Sequence, residues 1–224
     1  ALSDLAAFLS LSLSFSLFLF LILILSLPTR SPSVSAMTAV SDNEVNRDFF
    51  YYFAYGSNLL KERIRYQQKG AEFVSIGRLA HFRLVFTGFS GRWQGAVASI
   101  LESENDEVWG CVWRVPNAFA ESLDKQEAGY RRLTVPIMTA SGAVMKCRTY
   151  QLPDVTAFAL PSRHYMHVIV SGAAEHRLPQ AYIQKLAALP TNDFRARLDG
   201  IQLASLDQLY EQFGQEMKNG SQVD

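Results

Sequence analysis

The sequence predicts an α+β fold, a mixed and largely antiparallel barrel-like sheet with flanking helices. Three observations predict it. An aromatic strand pattern feeds straight into a short helical one near residue 58. A run of strand patterns then follows from Phe73 to Val115 with no helix between them, and a hairpin pattern lies around Ser141-Gly142. The remaining helical patterns gather at the C-terminal end. Strands that cluster rather than alternate with helices favour antiparallel pairing, and no internal repeat is visible.

Taken in order, Phe49 to Ala54 (FFYYFA) is an aromatic run stopped by Gly56, the mark of a buried strand. Tyr55-Gly56-Ser57-Asn58 is turn chemistry. Leu59 to Gln67 reads as an amphipathic helix, with Leu59, Leu60 and Ile64 on one side, charges on the other, and Ser57 or Asn58 as its cap. Phe73 to Phe86 predicts one long strand or two shorter ones, and Gly88 to Gly95 a loop around Trp93. Ala96 to Leu101 and Glu107 to Val115 read as two strands joined by a turn at Ser103 to Asp106. Pro116-Asn117 opens a helix reaching about Ala128. Leu133 to Thr139 and Val144 to Leu152 form the next hairpin. Ser162 to Ser171 and Pro179 to Leu189 read as helices. Ser205 to Met217 carries a helix-period stripe of Leu206, Leu209, Tyr210, Phe213 and Met217, which must dock on the domain or on a second subunit.

Among 224 residues, 49% are hydrophobic, enough for one real core plus tails. Lys and Arg number 21 and Asp and Glu 21, a formal net charge of zero that gives no footprint for nucleic acid or an anionic membrane. A small molecule or another protein is the expected partner. Cys111 and Cys147 have no metal-type spacing and read as free buried thiols in a cytoplasmic protein. His164 and His167 stand at helical spacing without a third ligand, so packing or surface roles outweigh a metal site.

Residues 1–48 stand apart. Phe8 to Pro28 is long and apolar enough to span a bilayer or to serve as a secretory signal, which would make the protein membrane-anchored or secreted. Yet no Lys or Arg precedes it, and all but Ile22 and Ile24 are Phe, Leu, Ser or Pro, the residues encoded by C and T alone. The expectation is a pyrimidine-rich leader, with the protein proper starting at Met37. The folded chain is then expected to divide into a catalytic domain over 49–195 and a C-terminal helix with polar tail over 196–224.

Two constellations carry chemistry. A strand ending in Tyr-Gly-Ser-Asn at a helix start is suited to hold a carboxylate or an oxyanion on backbone N–H groups, although an ordinary capped turn would look the same. In the helix from Asn117, Phe119, Leu123 and Glu127 recur at intervals of four and share a face. A carboxylate on the apolar stripe is desolvated and its pKa rises, as a general acid/base near neutral pH requires. The helix C-terminus pushes the same way. Glu121 and Asp124 fall on other faces and are expected to be solvated. The bland alternative for Glu127 is an ion pair with Arg131 or Arg132.

YFAYGSNLL (Tyr52 to Leu60), GAVASI (Gly95 to Ile100), DEVWGCVW (Asp106 to Trp113) and SLDKQE (Ser122 to Glu127) together resemble the γ-glutamylcyclotransferases. So do CRTY (Cys147 to Tyr150), PSRHY (Pro161 to Tyr165) and LPQAYIQKL (Leu178 to Leu186), in the family's order and near its spacing, over roughly Phe50 to Phe194. The resemblance implies a homodimeric, cofactor-free enzyme that releases 5-oxoproline from a γ-glutamyl amino acid. It implies that Tyr52, Phe53, Ala54, Tyr55, Gly56, Ser57 and Asn58 line the substrate site, that Glu127 is the acid/base and that Tyr150 touches substrate. One departure bears on substrate preference: Glu127 is followed by Ala128, Gly129 and Tyr130, where the family has Gly and a longer loop. In such a reaction the substrate's α-amine attacks its own γ-carbonyl, so no protein nucleophile is needed. The alternatives are a related cyclotransferase acting on glutathione or γ-glutamylamines, or a non-catalytic module on the same fold.

Overall fold

Two very long strands organise the computed structural model, which describes residues 48–220. β1 (Phe49–Ala54), β2 (Glu72–Ser90), β3 (Gly95–Pro116), β4 (Arg131–Thr139) and β5 (Val144–Gln151) close into a barrel in the order β1-β3-β2-β4-β5. The pairings are antiparallel except that of β1 with β5, which is parallel at Tyr52 and Arg148. The sheet is therefore mixed, largely antiparallel and closed, as expected. The leader, with its apolar run and Met37, lies outside the described residues.

The strand expected around Phe73 to Phe86 is one element of 19 residues, and its antiparallel partner β3 has 22. The expected turn at Ser103 to Asp106 does not form. Both halves of β3 pair with β2: Ala80 faces Glu107 and Phe82 faces Glu102, so Ser103 to Asp106 bulge out opposite His81 alone. His81 takes a positive φ of 64° there, and Ser103 Oγ closes the bulge on Asp106 Oδ2 at 2.5 Å. A polar tetrapeptide resembles a turn, but a continuous partner strand absorbs it as a bulge.

After β1, Ser57–Leu59 makes a single 3-10 turn, and the α-helix α1 begins only at Lys61 (Lys61–Gln67). Neither Ser57 nor Asn58 caps it. Leu60 is the N-cap with no side-chain bond, and Glu175 Oε2 accepts from the Lys61 N–H at 3.0 Å. A 3-10 turn at Asn117–Phe119 leads into α2 (Ala120–Gln126), which ends before the expected Ala128. The C-terminal part holds α3 (Arg163–Glu175), α4 (Gln180–Ala187) and α5 (Ala204–Gly220). Ser162 caps α3 by accepting from Tyr165 N. α3 lies on the turn after β1 so closely that a Cβ on Gly172 would sit 2.4 Å from Leu60 N. α5 docks on α3, burying Leu206, Leu209 and Phe213. No described helix is long and apolar enough to cross a membrane.

Candidate active site

β1, the turn behind it, the end of α2 and the start of α3 converge on two adjoining hollows. The inner recess is small, about 40 Å³, and is lined by Tyr52, Tyr55, Gly56, Ser57, Asn58, Ala98, Glu127, Tyr130, Tyr150 and Tyr165. The outer hollow is about 720 Å³ and shares Ser57, Glu127, Tyr130 and Tyr165 with it. Glu127 thus stands where the two meet.

Glu127 is the C-cap of α2, its N–H bonded to Leu123 O at 3.0 Å. Leu123 is fully buried beneath it and Phe119 packs against the core, so the helical face predicted from spacing forms. Burial pushes the Glu127 carboxyl up from 4.5 to about 7, against the weaker opposing pull of the Arg63 charge and the Tyr52 hydroxyl. Asn58 Nδ2 donates to Glu127 Oε1 at 3.2 Å and to Tyr52 Oη at 3.2 Å. Gln126 Nε2 donates to Asn58 Oδ1 at 3.2 Å, which fixes how the Asn58 amide faces. Tyr52 Oη approaches Glu127 Oε1 at 3.5 Å, at the outer limit of a hydrogen bond.

The ion-pair alternative for Glu127 does not form. Arg131 donates to Gln151 Oε1 at 2.6 Å, and Arg132 lies 3.5 Å from Asp124 Oδ2. Asp124, expected to be simply solvated, also accepts from Tyr150 Oη at 2.5 Å and lies 3.4 Å from Arg148 Nη1. The Tyr150 hydroxyl therefore points along the α2 side of the recess, while its ring packs edge-on against Tyr52, centroids 5.9 Å apart.

Tyr55 donates to the carbonyl of Tyr150, pinning the start of the turn to β5. Gly56 lets the backbone approach Tyr165: a Cβ there would sit 3.1 Å from Tyr165 Oη and 3.4 Å from Ala98 Cβ. The expected cradle at an α-helix N-terminus is corrected, because one 3-10 turn separates Gly56 from the α1 start and the Lys61 N–H is already taken. What the turn does instead is bring Ser57 and Asn58 to the recess wall. Phe53 and Ala54 do not line either hollow. Both are fully buried, and Phe53 contributes its carbonyl to Thr149 Oγ1 at 2.9 Å.

Four residues escaped the sequence reading. Tyr165 Oη accepts from Ala98 N at 3.2 Å, and Tyr130 Oη donates to Ala98 O at 2.9 Å. Both hydroxyls sit beside Glu127, and burial raises both pKa values, that of Tyr165 to about 12. Gln126 orients Asn58. Arg63 is 5% exposed, lies over the Trp93 ring at 6.0 Å and is the cation nearest in effect to Glu127. Its signal was present, since Arg63 stands four residues after Leu59.

The chain is 41% identical over 157 residues to a mouse protein named gamma-glutamylcyclotransferase, covering 66% of this chain and 83% of that protein. A human protein of the same name is 38% identical over 161 residues, covering 68% and 85%. The chain belongs to the γ-glutamylcyclotransferase family. The AIG2-like family model matches residues 107–186, the stretch that carries Glu127 and Tyr150. A solved structure described as gamma-glutamyl cyclotransferase superimposes with a TM-score of 0.67 at 35% identity, covering 73% of this chain and 99% of that one. The family's fold is therefore also this chain's fold.

The histidines serve the scaffold. His164 is fully buried among Phe194, Tyr210 and Phe213, and His167 Nε2 lies 2.7 Å from Ser205 O. Cys111 and Cys147 are free and buried, their thiols pushed up by burial, that of Cys147 to about 12. Among the described residues no three His, Cys, Asp or Glu side chains gather into a metal-binding group.

Proposed function

We propose that this chain converts a γ-glutamyl amino acid to 5-oxoproline and the free amino acid, with Glu127 carrying the protons. The observation that carries the reading is Glu127 itself, a desolvated carboxyl at the mouth of the recess, held by Asn58 and raised to about 7. The α-ammonium of the substrate gives a proton to Glu127. The freed amine attacks the γ-carbonyl carbon, forming the ring C–N bond and a tetrahedral oxyanion. As that intermediate collapses, the bond to the leaving nitrogen breaks, Glu127 returns the proton to that nitrogen, and the ring nitrogen sheds its second proton to the freed carboxylate, leaving the neutral lactam. One carboxyl near pH 7 suits both transfers, since it is neither too weak a base for the first nor too weak an acid for the second.

The turn Tyr55 to Asn58 and the Tyr130 and Tyr165 hydroxyls surround the recess, a place of the right size for the carbonyl oxygen or the α-carboxylate. The Tyr165 hydroxyl accepts from Ala98 N and so keeps its own proton to donate to a developing oxyanion. Tyr52 and Tyr150 line the recess beside the turn. Phe53 and Ala54 support the wall from behind, through packing. The resemblance further implies a cytoplasmic homodimer, with light scattering at micromolar concentration the check on assembly.

The test is 5-oxoproline release across γ-glutamyl amino acids, glutathione and γ-glutamylamines. Turnover is expected with the amino acid conjugates. No release from any member of the panel would overturn the reading, and exclusive turnover of glutathione or an amine would replace its substrate.

A further inference from the structure

We infer that Arg63 and Arg92 recognise a carboxylate on the leaving group, so that the site selects γ-glutamyl amino acids over γ-glutamylamines. The inference rests on the cyclotransferase reading above and deepens it.

The outer hollow is lined by Arg63, Arg92 and Lys125, with Glu127 its sole acidic residue. Lys125 already has a partner, Glu121 at 2.9 Å, one turn away. The two arginines differ from it. Arg63 is almost fully buried, yet its Nε has no hydrogen-bond partner. Arg92, exposed at the tip of the β2–β3 hairpin, has no ion pair among the described residues. Burial, and after it the Arg92 charge, lowers the Arg63 pKa, while the Glu127 carboxylate opposes them. Glu127 is the anion that acts on Arg63, and once it takes the substrate's proton the two cations are left without a counter-charge unless a further anion joins them. The fork of a guanidinium matches a carboxylate in geometry, and two such forks on one hollow suit one better still.

Position along the hollow decides which carboxylate. Glu127 borders the inner recess, whereas Arg63 and Arg92 also line a further hollow of about 230 Å³ on the side of Ile201 and Leu203. The sequence inward to outward is therefore recess, Glu127, arginines. The leaving nitrogen must meet Glu127 to take its proton. Ring closure folds the substrate's own α-carbon back toward the γ-carbonyl, on the recess side. A carboxylate two bonds beyond the leaving nitrogen falls on the arginine side. An amine leaving group has nothing to place there.

The experiment compares γ-glutamyl-alanine with γ-glutamyl-ethylamine, whose leaving groups differ only by that carboxylate. The wild-type protein is expected to prefer the alanine compound in kcat/KM by about 10- to 100-fold, the usual worth of a hydrogen-bonded charge. Arg92→Gln should shrink this ratio to within about threefold, mainly through KM of the alanine compound, because charged-group bonds to a bound substrate act on binding. Arg92→Lys should retain part of the preference. Arg92 is exposed, so its variants should fold, and melting curves check this; Arg63→Gln supplies a second reading of the same ratio. Equal wild-type rates on the two substrates, or a ratio that survives Arg92→Gln and Arg63→Gln, would overturn the inference while leaving the cyclotransferase reading intact. Release from neither substrate by wild-type protein would instead remove the parent reading, and the inference with it.

Discussion

Glu127, half-buried at the C-cap of α2, and His164, fully buried in α3, are both desolvated titratable groups, yet their surroundings give them opposite characters. His164 is enclosed by three aromatic rings, and neither ring nitrogen makes a well-formed hydrogen bond, although the backbone of Ala196 lies near. Burial holds its pKa down to about 4, so it stays neutral and packs as an apolar disc. Glu127 is desolvated too, but it borders a hollow and is surrounded by groups that answer its charge: the Asn58 amide, the Tyr52 hydroxyl and the Arg63 cation. Burial alone moves a pKa. Burial with access and responsive partners makes a proton carrier.

The sharpest way to break this contrast is Glu127→Gln. Gln keeps the shape and accepts from Asn58, but it cannot carry a proton between two nitrogens. Turnover should fall about 10³-fold or more, at the upper range for general acid–base catalysis, measured as 5-oxoproline release per folded molecule. Stability should move the other way. The folded pKa of Glu127 is raised, so its stabilising contribution is complete below pH 4.5 and is lost as pH rises toward 7, by at most about 3 kcal/mol. The variant should therefore melt higher than wild type at pH 8 and not at pH 4.5. A variant that is destabilised at pH 8 but keeps wild-type turnover would make Glu127 a structural group like His164.

Asn58→Ala should have the next largest effect. It strips Glu127 and Tyr52 of a donor and leaves the Gln126 amide without its acceptor, so stability should fall by about 1–3 kcal/mol. Turnover of the folded fraction should drop about tenfold, because the carboxylate loses the partner that aims it. Wild-type turnover in this variant would show that Glu127 needs no such support.

His164→Phe should have the smallest effect on activity and a distinctive one on stability. The folded pKa of His164 is depressed, so its stabilising contribution is present above pH 6.5 and is lost as pH falls toward 4. Replacing it with Phe should flatten the fall in melting temperature between pH 6.5 and 4 and leave turnover within about twofold. A large loss of turnover in a folded His164→Phe protein would contradict the division of roles.

The same contrast shows what the sequence could and could not convey. The desolvated position of Glu127 beside Leu123 was readable because helical spacing from Phe119 and Leu123 is local information. The strand FFYYFA and the hairpin around Ser141-Gly142 were readable for the same reason: period and turn chemistry sit in adjacent residues. The bulge at Ser103 to Asp106 was not, because its identity as a bulge depends on β2 continuing past it on both sides. Asp124 read as solvated because its partners, Tyr150 and Arg148, arrive from β5. Arg63 sits in the charged stretch KERIR, which masks its spacing of four from Leu59, and its place over the Trp93 ring comes from tertiary packing. Tyr130, just before β4, and Tyr165, in the first turn of α3, stand 32 and 67 residues beyond Ala98, so their meeting there is set by tertiary packing.

The central claim is that a desolvated Glu127 exchanges protons with the substrate near neutral pH, and the pH profile of kcat/KM with a γ-glutamyl amino acid tests it most directly. The free carboxylate form must accept the first proton, so kcat/KM should rise through an apparent pKa near 7 and then level, before the substrate's own amine titrates. In Glu127→Gln the residual rate should lack this inflection. A wild-type profile that is flat from pH 5 to 8, or an inflection near 7 that persists unchanged in Glu127→Gln, would contradict the account.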